Sequence, residues 1–148
     1  MRYMKFLVAV CALLVAGSAA AQNGTENPQN QTIMERTGSA AFIFEAETPW
    51  EDLGGGVKRQ ILGYDGQLMM VKVVFEQGAV GAPHHHYHSQ CTYVAKGKFE
   101  FTIDGETRVV SEGDCLFKTP DKPHGCVCLE PGILIDTFSP MRADFLKK

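Results

Sequence analysis

Histidine is the residue type in this 148-residue chain whose placement most clearly indicates chemistry. All five histidines lie within residues 84–124, and they are His84, His85, His86, His88 and His124. Imidazole is the commonest transition-metal ligand near neutral pH, and side chains two apart on a strand point to the same side. His84 and His86 are therefore predicted to converge on one metal ion. Gln90 has the same parity and could add a carbonyl oxygen.

Other interpretations of the segment HHHYH are a solvated polar turn and an affinity tag. A tag is disfavoured because the segment is internal and is followed by the ordered pattern CTYVAKG. His88 shares its parity with the two predicted ligands, so three roles stay open for it: a metal ligand, a contact to a substrate or to a ligand, and an ordinary polar position. His85 is expected to be structural or exposed.

Short β-strands are predicted to position these residues, because segments rich in Val, Ile, Phe and Met alternate with Gly, Pro and Asp. The clearest hairpin joins residues 99–103 to residues 106–110 through Asp104-Gly105, a dipeptide that suits a tight turn with positive φ angles. Many short antiparallel strands predict a sandwich or barrel. The other predicted strands are residues 42–45, 57–62, 69–75, 91–95, 115–118, 126–129 and 133–138, with turns at 63–66, 76–78, 111–114 and 130–132.

Only the end of the chain is predicted to be helical. Ser139 is a plausible N-cap, Pro140 fits the first helical position, and residues 141–146 continue the helix. Asp136 and Phe138 share one face of the preceding strand, and the helix carries Arg142. A carboxylate, an apolar wall and a guanidinium are thus predicted to meet at one strand end, as a small anionic substrate would require.

The N-terminus has the pattern of an export signal. In residues 1–21 basic residues precede an apolar run that ends in small residues, which predicts a signal peptide cleaved after Ala21. A lipid anchor at Cys11 is disfavoured because Val10 is bulky. Residues 22–32 are polar and aperiodic and are predicted to form a disordered tether, so that the domain spans residues 33–148. The protein is then expected to be periplasmic or secreted.

Composition limits the classes of partner. The net charge is −3 and basic runs are absent, which argues against a nucleic-acid partner. Past residue 21 no apolar run is long enough to span a bilayer, so no membrane association is expected after cleavage. The domain carries four cysteines, which are Cys91, Cys115, Cys126 and Cys128. Disulfides are chemically permitted in an exported protein, but their connectivity stays open, and small buried core residues are the favoured interpretation.

Two segments resemble the conserved motifs of the cupin family. The spacing Gly78-x5-His84-x-His86-x3-Gln90-x6-Gly97 is similar to the first motif, with Gln where Glu is usual, and GDCLFKTPDKPH is similar to the second, with His124 as its histidine. The resemblance implies an all-β fold, a single-domain cupin-type β-barrel (jelly roll), here with a short C-terminal helix. It also implies one divalent metal ion, Zn, Ni, Fe or Mn, whose ligands are His84, His86, Gln90 and His124.

The uncharged donor set has a chemical consequence. Three neutral imidazoles and one amide leave the ion its full +2 charge, so the ion stays a strong Lewis acid and attracts anions. Such a site is expected to bind a carboxylate-bearing ligand better than a site that contains Glu.

Together with the run HxHxHxQ, the segment DTFSPMR resembles the KdgF family of single-domain cupins. Members of that family act on 4,5-unsaturated monouronates released from pectin or alginate and convert them to the linear keto form. The resemblance implies substrate-site roles for Asp136, Phe138 and Arg142, a small anionic sugar as substrate, and a possible homodimer. Two alternatives stay open: a noncatalytic exported cupin that binds metal or sugar, and a cupin dioxygenase.

Overall fold

Antiparallel β-strands make up most of the computed structural model, which describes residues 38–147. The predicted signal peptide, the tether and the first residues of the predicted domain lie outside the described residues. No helix within residues 38–147 is long and apolar enough to cross a membrane. The strands are β1 Glu51–Gly54, β2 Val57–Tyr64, β3 Met69–Phe75, β4 Val80–His84, β5 Ser89–Ile103, β6 Glu106–Ser111, β7 Cys115–Lys118 and β8 His124–Ser139.

Strands β5 and β8 are the two longest strands and are neighbours in the sheet. They pair along their whole length, from Ser89 opposite Ser139 to Ile103 opposite His124. The sheet order is β1-β2-β3-β8-β5-β6, while β4 pairs with β8 and β7 pairs with β5. Two of the predicted ligands, Gln90 of β5 and His124 of β8, therefore lie on the long strands themselves, and His84 lies on β4, which pairs with β8.

Gly97 lies close against β8 at a point where the register between β5 and β8 shifts. Its φ is +85°, and a Cβ atom there would lie 2.6 Å from the carbonyl oxygen of Pro131. No side chain fits such a contact, so only glycine allows the two strands to bend together at this position.

The core lies between the inward faces of the strands. On β3 the side chains of Met69, Val71, Val73 and Phe75 point inward, as the period of two of a strand requires. Phe99 of β5 is completely buried and packs edge-on against Phe75, with ring centroids 5.4 Å apart. Burial of each such side chain stabilises the fold by roughly 1.5–3 kcal/mol.

Several predicted elements are confirmed. The strands at residues 69–75 and 115–118 have the predicted bounds, and the predicted hairpin is formed by β5 and β6. Its turn residues Asp104 and Gly105 have φ angles of 50° and 85°, the positive values that the dipeptide indicated. The all-β fold predicted from the sequence is thereby confirmed.

Other predicted elements are wrong. No strand forms at residues 42–45, because Phe42 is 81% exposed and a short 3₁₀ helix, Glu45–Glu47, follows. The turn predicted at residues 130–132 lies inside β8, so the two strands predicted around it are one. Strands β1 and β4 were not predicted, because their sequences EDLG and VGAPH lack apolar alternation. They become strands because β2 and β8 offer each of them a free edge to pair with.

The C-terminal helix is shorter than predicted. Ser139 is the last residue of β8 rather than an N-cap, and the Ser139–Pro140 peptide bond is cis. The helix is a single 3₁₀ turn, Ala143–Leu146, and its N-cap residue is Arg142. The predicted capping at Ser139 and Pro140 is therefore wrong, because both residues belong to the bend that ends β8.

Candidate functional site

Three histidines meet at one end of the barrel, and we call His84, His86 and His124 the histidine cluster. His84 ends β4 and lies opposite His124, which begins β8. His86 lies in the loop between β4 and β5. One ring nitrogen from each residue lies within 4.8 Å of the other two, close enough for one ion to contact all three. The predicted reason for their proximity is wrong, because a loop rather than strand parity brings His86 to His84.

The backbone fixes which nitrogens of the cluster carry lone pairs. Nδ1 of His84 donates to the carbonyl oxygen of Ala82 at 2.9 Å, and Nδ1 of His124 donates to that of Lys122 at 2.8 Å. A carbonyl oxygen can only accept, so both Nδ1 atoms carry the proton and both Nε2 atoms are free to bind a metal. Nε2 of His124 is buried and has no hydrogen-bond partner among the described residues.

The electrostatics of the cluster favour neutral imidazoles. Burial lowers the pKa of His124 to about 4. Burial and then the positive charge of Arg142 lower the pKa of His86. Metal binding requires neutral rings with free lone pairs, so these residues fit a divalent cation without first losing protons at neutral pH.

Gln90 lies between the histidine cluster and the predicted catalytic carboxyl group. Its Oε1 is 3.1 Å from Nε2 of His86, while its Nε2 donates to Oδ1 of Asp136 at 2.8 Å. Because a carboxylate oxygen accepts, Asp136 orients the amide so that the carbonyl oxygen faces the histidines. This is the orientation that a metal ligand at residue 90 requires.

Asp136 belongs to a series of buried polar side chains that we call the polar chain, formed by Lys118, Thr92, Asp136 and Gln90. The Nζ atom of Lys118 donates to Oγ1 of Thr92 at 2.5 Å, and that hydroxyl in turn donates to Oδ1 of Asp136. Lys118 is 1% exposed, and its Nζ lies 5.1 Å from the ring centroid of Phe101. Burial lowers the pKa of Lys118, and the charge of Asp136 partly offsets that effect. The series therefore brings a positive charge close to Asp136 without direct contact.

A cavity of about 460 Å³ opens beside the histidine cluster and the polar chain. Its walls include His84, Gln90, Asp136, Phe138 and Arg142, so the cavity contains all three predicted substrate-site residues and two of the four predicted ligands. Phe138 is 3% exposed and contacts His86 edge to face, with centroids 5.7 Å apart. The cavity is thus lined by both apolar and polar side chains, which suits a small polar ligand.

Arg142 reaches the cavity in a fixed position. Its guanidinium group lies 4.2 Å from the ring centroid of Phe145. It also pairs with Asp144 through two hydrogen bonds of 2.9 and 2.7 Å. The pair lowers the pKa of Asp144 to about 2, so the carboxylate stays charged and holds the guanidinium. The Nε and Nη2 atoms of Arg142 donate these two bonds, so its Nη1 atom is not bonded to Asp144.

Sequence reasoning missed three residues at this site: Arg59, Thr92 and Lys118. Arg59 of β2 lines the same cavity, and its guanidinium lies 3.7 Å from the ring centroid of Phe145, which brings a second positive charge to the cavity wall. Thr92 follows Gln90 by two residues on one strand, and this spacing could have indicated that both side chains point to the same face of the sheet. No sequence signal distinguishes a buried lysine from an exposed one at the end of β7.

The two remaining histidines are not members of the cluster. His85 is exposed, as expected. His88 is buried, and its ring stacks on Tyr87 with centroids 3.9 Å apart. Its centroid lies 5.2 Å from that of His86, and burial lowers its pKa. His88 thus packs behind the cluster and is not one of the three residues whose nitrogens converge.

Comparison with known proteins agrees with this fold. Residues 71–138 match the family model of the cupin domain. The chain is 51% identical over 107 residues to the pectin degradation protein KdgF of Dickeya dadantii (strain 3937), a match that covers 71% of this chain and 97% of that protein. The fold and the site therefore define a single-domain cupin.

Two solved structures give the same result. A crystal structure of an RmlC-like cupin from Shewanella frigidimarina NCIMB 400 has 50% identity and a TM-score of 0.71, and covers 73% of this chain and 97% of its own. The structure of KdgF from Halomonas sp. has 41% identity and a TM-score of 0.69, with 72% and 99% covered. The chain belongs to the KdgF family.

Proposed function

We propose that the protein is a metal-dependent enzyme of pectin or alginate breakdown, which converts 4,5-unsaturated monouronates to their linear keto form. The observation that carries the proposal is that one cavity joins the histidine cluster to the carboxyl group of Asp136 and to the guanidinium of Arg142. The 51% identity to a protein named for pectin degradation supports the substrate class.

In this proposal His84, His86, Gln90 and His124 hold one divalent ion. A bound ion would supply Lewis acidity, which polarises an oxygen of the substrate. The residues make a neutral set, since three imidazoles and one amide bring no negative charge. An anionic substrate is therefore not repelled by the ligands themselves.

Arg142 and Phe138 bind the substrate. Arg142 attracts the uronate carboxylate, and its own position is fixed by Asp144 and Phe145. Phe138 supplies an apolar wall against which one face of the sugar ring packs. Arg59 adds a second guanidinium to the same cavity wall, where its Nε is paired with Glu51 at 2.7 Å.

Asp136 moves the proton that ring opening and tautomerisation require. Gln90 and Thr92 both donate to Oδ1, so Oδ2 is the oxygen left to take and return a proton. The carboxyl group is 9% exposed and lines the cavity, where bulk water competes little for that proton.

The proposal is tested by mixing the metal-loaded protein with an unsaturated galacturonate prepared by lyase digestion. The ultraviolet absorbance of the conjugated acid should decay faster than in buffer, without oxygen uptake. Chelator-treated protein is the matched control and should give the spontaneous rate. Decay at the spontaneous rate with a filled metal site would identify a noncatalytic binding cupin, and oxygen uptake would identify a dioxygenase.

Export and pairing are further parts of the proposal. The chain would be processed after Ala21 and act in the periplasm or outside the cell, and two copies would form a homodimer. Mass spectrometry of protein from an exporting host should find Gln22 as the first residue, and light scattering should give twice the chain mass. A retained Met1 or the mass of a single chain contradicts the corresponding statement.

A further inference from the structure

Four cysteines of the described residues are free thiols, and they fall into two unlike pairs. Cys126 and Cys128 are buried on β8, as the favoured interpretation expected. Cys115 is exposed and Cys91 is half-buried, so for these two that interpretation is wrong. The site described above uses neither pair.

Cys91 and Cys115 are diagonal neighbours on the paired strands β5 and β7. Cys91 of β5 lies opposite Phe117 of β7, and Cys115 lies opposite Tyr93, so all four side chains project from the same outer face. The two sulfur atoms are 3.3 Å apart. In a disulfide they are about 2.0 Å apart, so closure requires the two sulfur atoms to approach by about 1.3 Å.

We propose that Cys91 and Cys115 are a redox pair that closes to an intramolecular disulfide when the protein meets a small disulfide donor such as oxidised glutathione. The outer face is open to such a donor, since Tyr93 and Phe117 beside the pair are 47% and 64% exposed. The other pair cannot react in this way. Cys126 and Cys128 are two residues apart on one strand, and both are buried, where such a donor does not reach them.

The reaction proceeds by thiol–disulfide exchange. The thiolate of Cys115 attacks one donor sulfur, forms a mixed disulfide and releases one donor thiolate. The thiolate of Cys91 then attacks Sγ of Cys115, forms the protein disulfide and releases the second donor thiolate. The two thiol protons pass to the released thiolates, so the protein loses two electrons and the donor becomes two thiols.

Exposure decides which cysteine attacks first. Cys115 is the more exposed of the two and meets the donor. Cys91 then acts as the resolving thiol from the adjacent strand.

The bond would hold β7 in place. This strand has four residues, its one partner among the strands of residues 38–147 is β5, and it ends at Lys118 of the polar chain. A cross-link between β5 and β7 closes a loop of the chain and restricts the unfolded state. The oxidised protein should therefore have a higher thermal midpoint than the reduced protein, and dithiothreitol should reverse the shift.

The test treats the full chain with oxidised glutathione under native conditions, blocks the remaining thiols with iodoacetamide and digests the protein with trypsin. Cys91 and Cys115 fall on the separate peptides 73–96 and 109–118, and the buried pair falls on 119–142. The expected result is a 73–96 to 109–118 cross-link within one chain and a mass about 2 Da below the reduced value.

Matched variants separate the pair from the other thiols. Cys128→Ser should still form the cross-link, whereas Cys91→Ser should leave Cys115 as a glutathione adduct. Recovery of both peptides in alkylated form, or a cross-link that joins two chains, would overturn the proposal. Neither result depends on the metal site or on turnover, so failure of the proposed function leaves this test unaffected.

Discussion

The histidine cluster and the polar chain meet at Gln90, but the fold holds them in different ways. The cluster joins the end of β4, a loop and the start of β8, and its His84 side is exposed. The polar chain lies on paired strands, where Gln90 lies opposite Lys118 and Thr92 lies opposite Asp136, all four of them buried. One region is open to exchange with solvent, and the other is fixed by strand register.

This difference matches the chemistry that each region is proposed to perform. An ion draws its own ligands together, so a cluster on a loop can adjust when the ion binds. A proton-transfer group gains nothing from such adjustment and must already be in position. The polar chain supplies that position, because two donors converge on Oδ1 of Asp136.

Removing a histidine should have the largest effect. His84→Ala takes one of three imidazoles from the cluster, and the exposed position leaves the core intact. Loss of a residue that hydrogen-bonds a metal ligand typically lowers metal affinity by about 10–100-fold, and loss of the ligand itself should cost more. Metal affinity should therefore fall by at least about 100-fold. Calorimetric metal titration measures this, and His85→Ala beside it serves as the control. Equal affinities in the two variants would place the ion elsewhere.

Asp136→Asn should separate the two regions. The amide keeps the shape of the carboxyl group and can still accept hydrogen bonds, but it cannot carry the proton. Turnover should fall by about 100-fold or more while metal affinity stays within about 3-fold of wild type. Initial rates and metal titration on the same sample measure both quantities. Full retained turnover would remove Asp136 from catalysis, and exposed Asp104→Asn is the control.

The sequence predicted the histidine cluster better than the polar chain because of what each residue type reveals. All five histidines lie within residues 84–124, and this clustering indicated a metal site, while the resemblance to the cupin motifs added His124. His84, His86 and His124 do converge, although the pairing of β4 with β8 brings His84 to His124. The hairpin at Asp104-Gly105 was predictable from local chemistry alone, since few dipeptides favour two positive φ angles.

Lys118 and β4 show what local chemistry leaves out. A lysine at a strand end is expected to be exposed, and only the pairing of β7 with β5 places Lys118 next to Thr92 inside the barrel. Likewise VGAPH becomes a strand because β8 offers it a partner. Long-range pairing decides these features, and a single sequence does not display it.

Arg142→Gln should affect binding more than the chemical step. The substitution removes the guanidinium that lines the cavity and its paired hydrogen bonds to Asp144. Loss of a charge-assisted bond to the substrate carboxylate should raise KM by about 10-fold and change kcat by less than about 3-fold. Steady-state kinetics measure both constants, with exposed Arg108→Gln as the control. A fall in kcat at constant KM would instead make Arg142 part of the proton-transfer step.

The smallest expected effect concerns the buried end of the polar chain and is a change of stability with pH. The pKa of Lys118 is lowered from its ordinary value of 10.5, mainly by burial. Between the lowered value and 10.5 the unfolded chain binds more protons at this position than the folded chain, so the free energy of unfolding should rise with pH in that window. The slope is at most about 1.4 kcal/mol per pH unit.

Lys118→Met isolates this contribution. The free energy of unfolding of wild type minus that of the variant, from urea titrations between pH 8 and about pH 10.5, should increase with pH. The raised pKa values of Cys91, Cys126 and Cys128 act in the opposite direction, but both proteins share these thiols and the subtraction removes most of their effect. A flat difference would mean that Lys118 keeps its ordinary affinity for the proton, and that Asp136 fully offsets the cost of burying its charge.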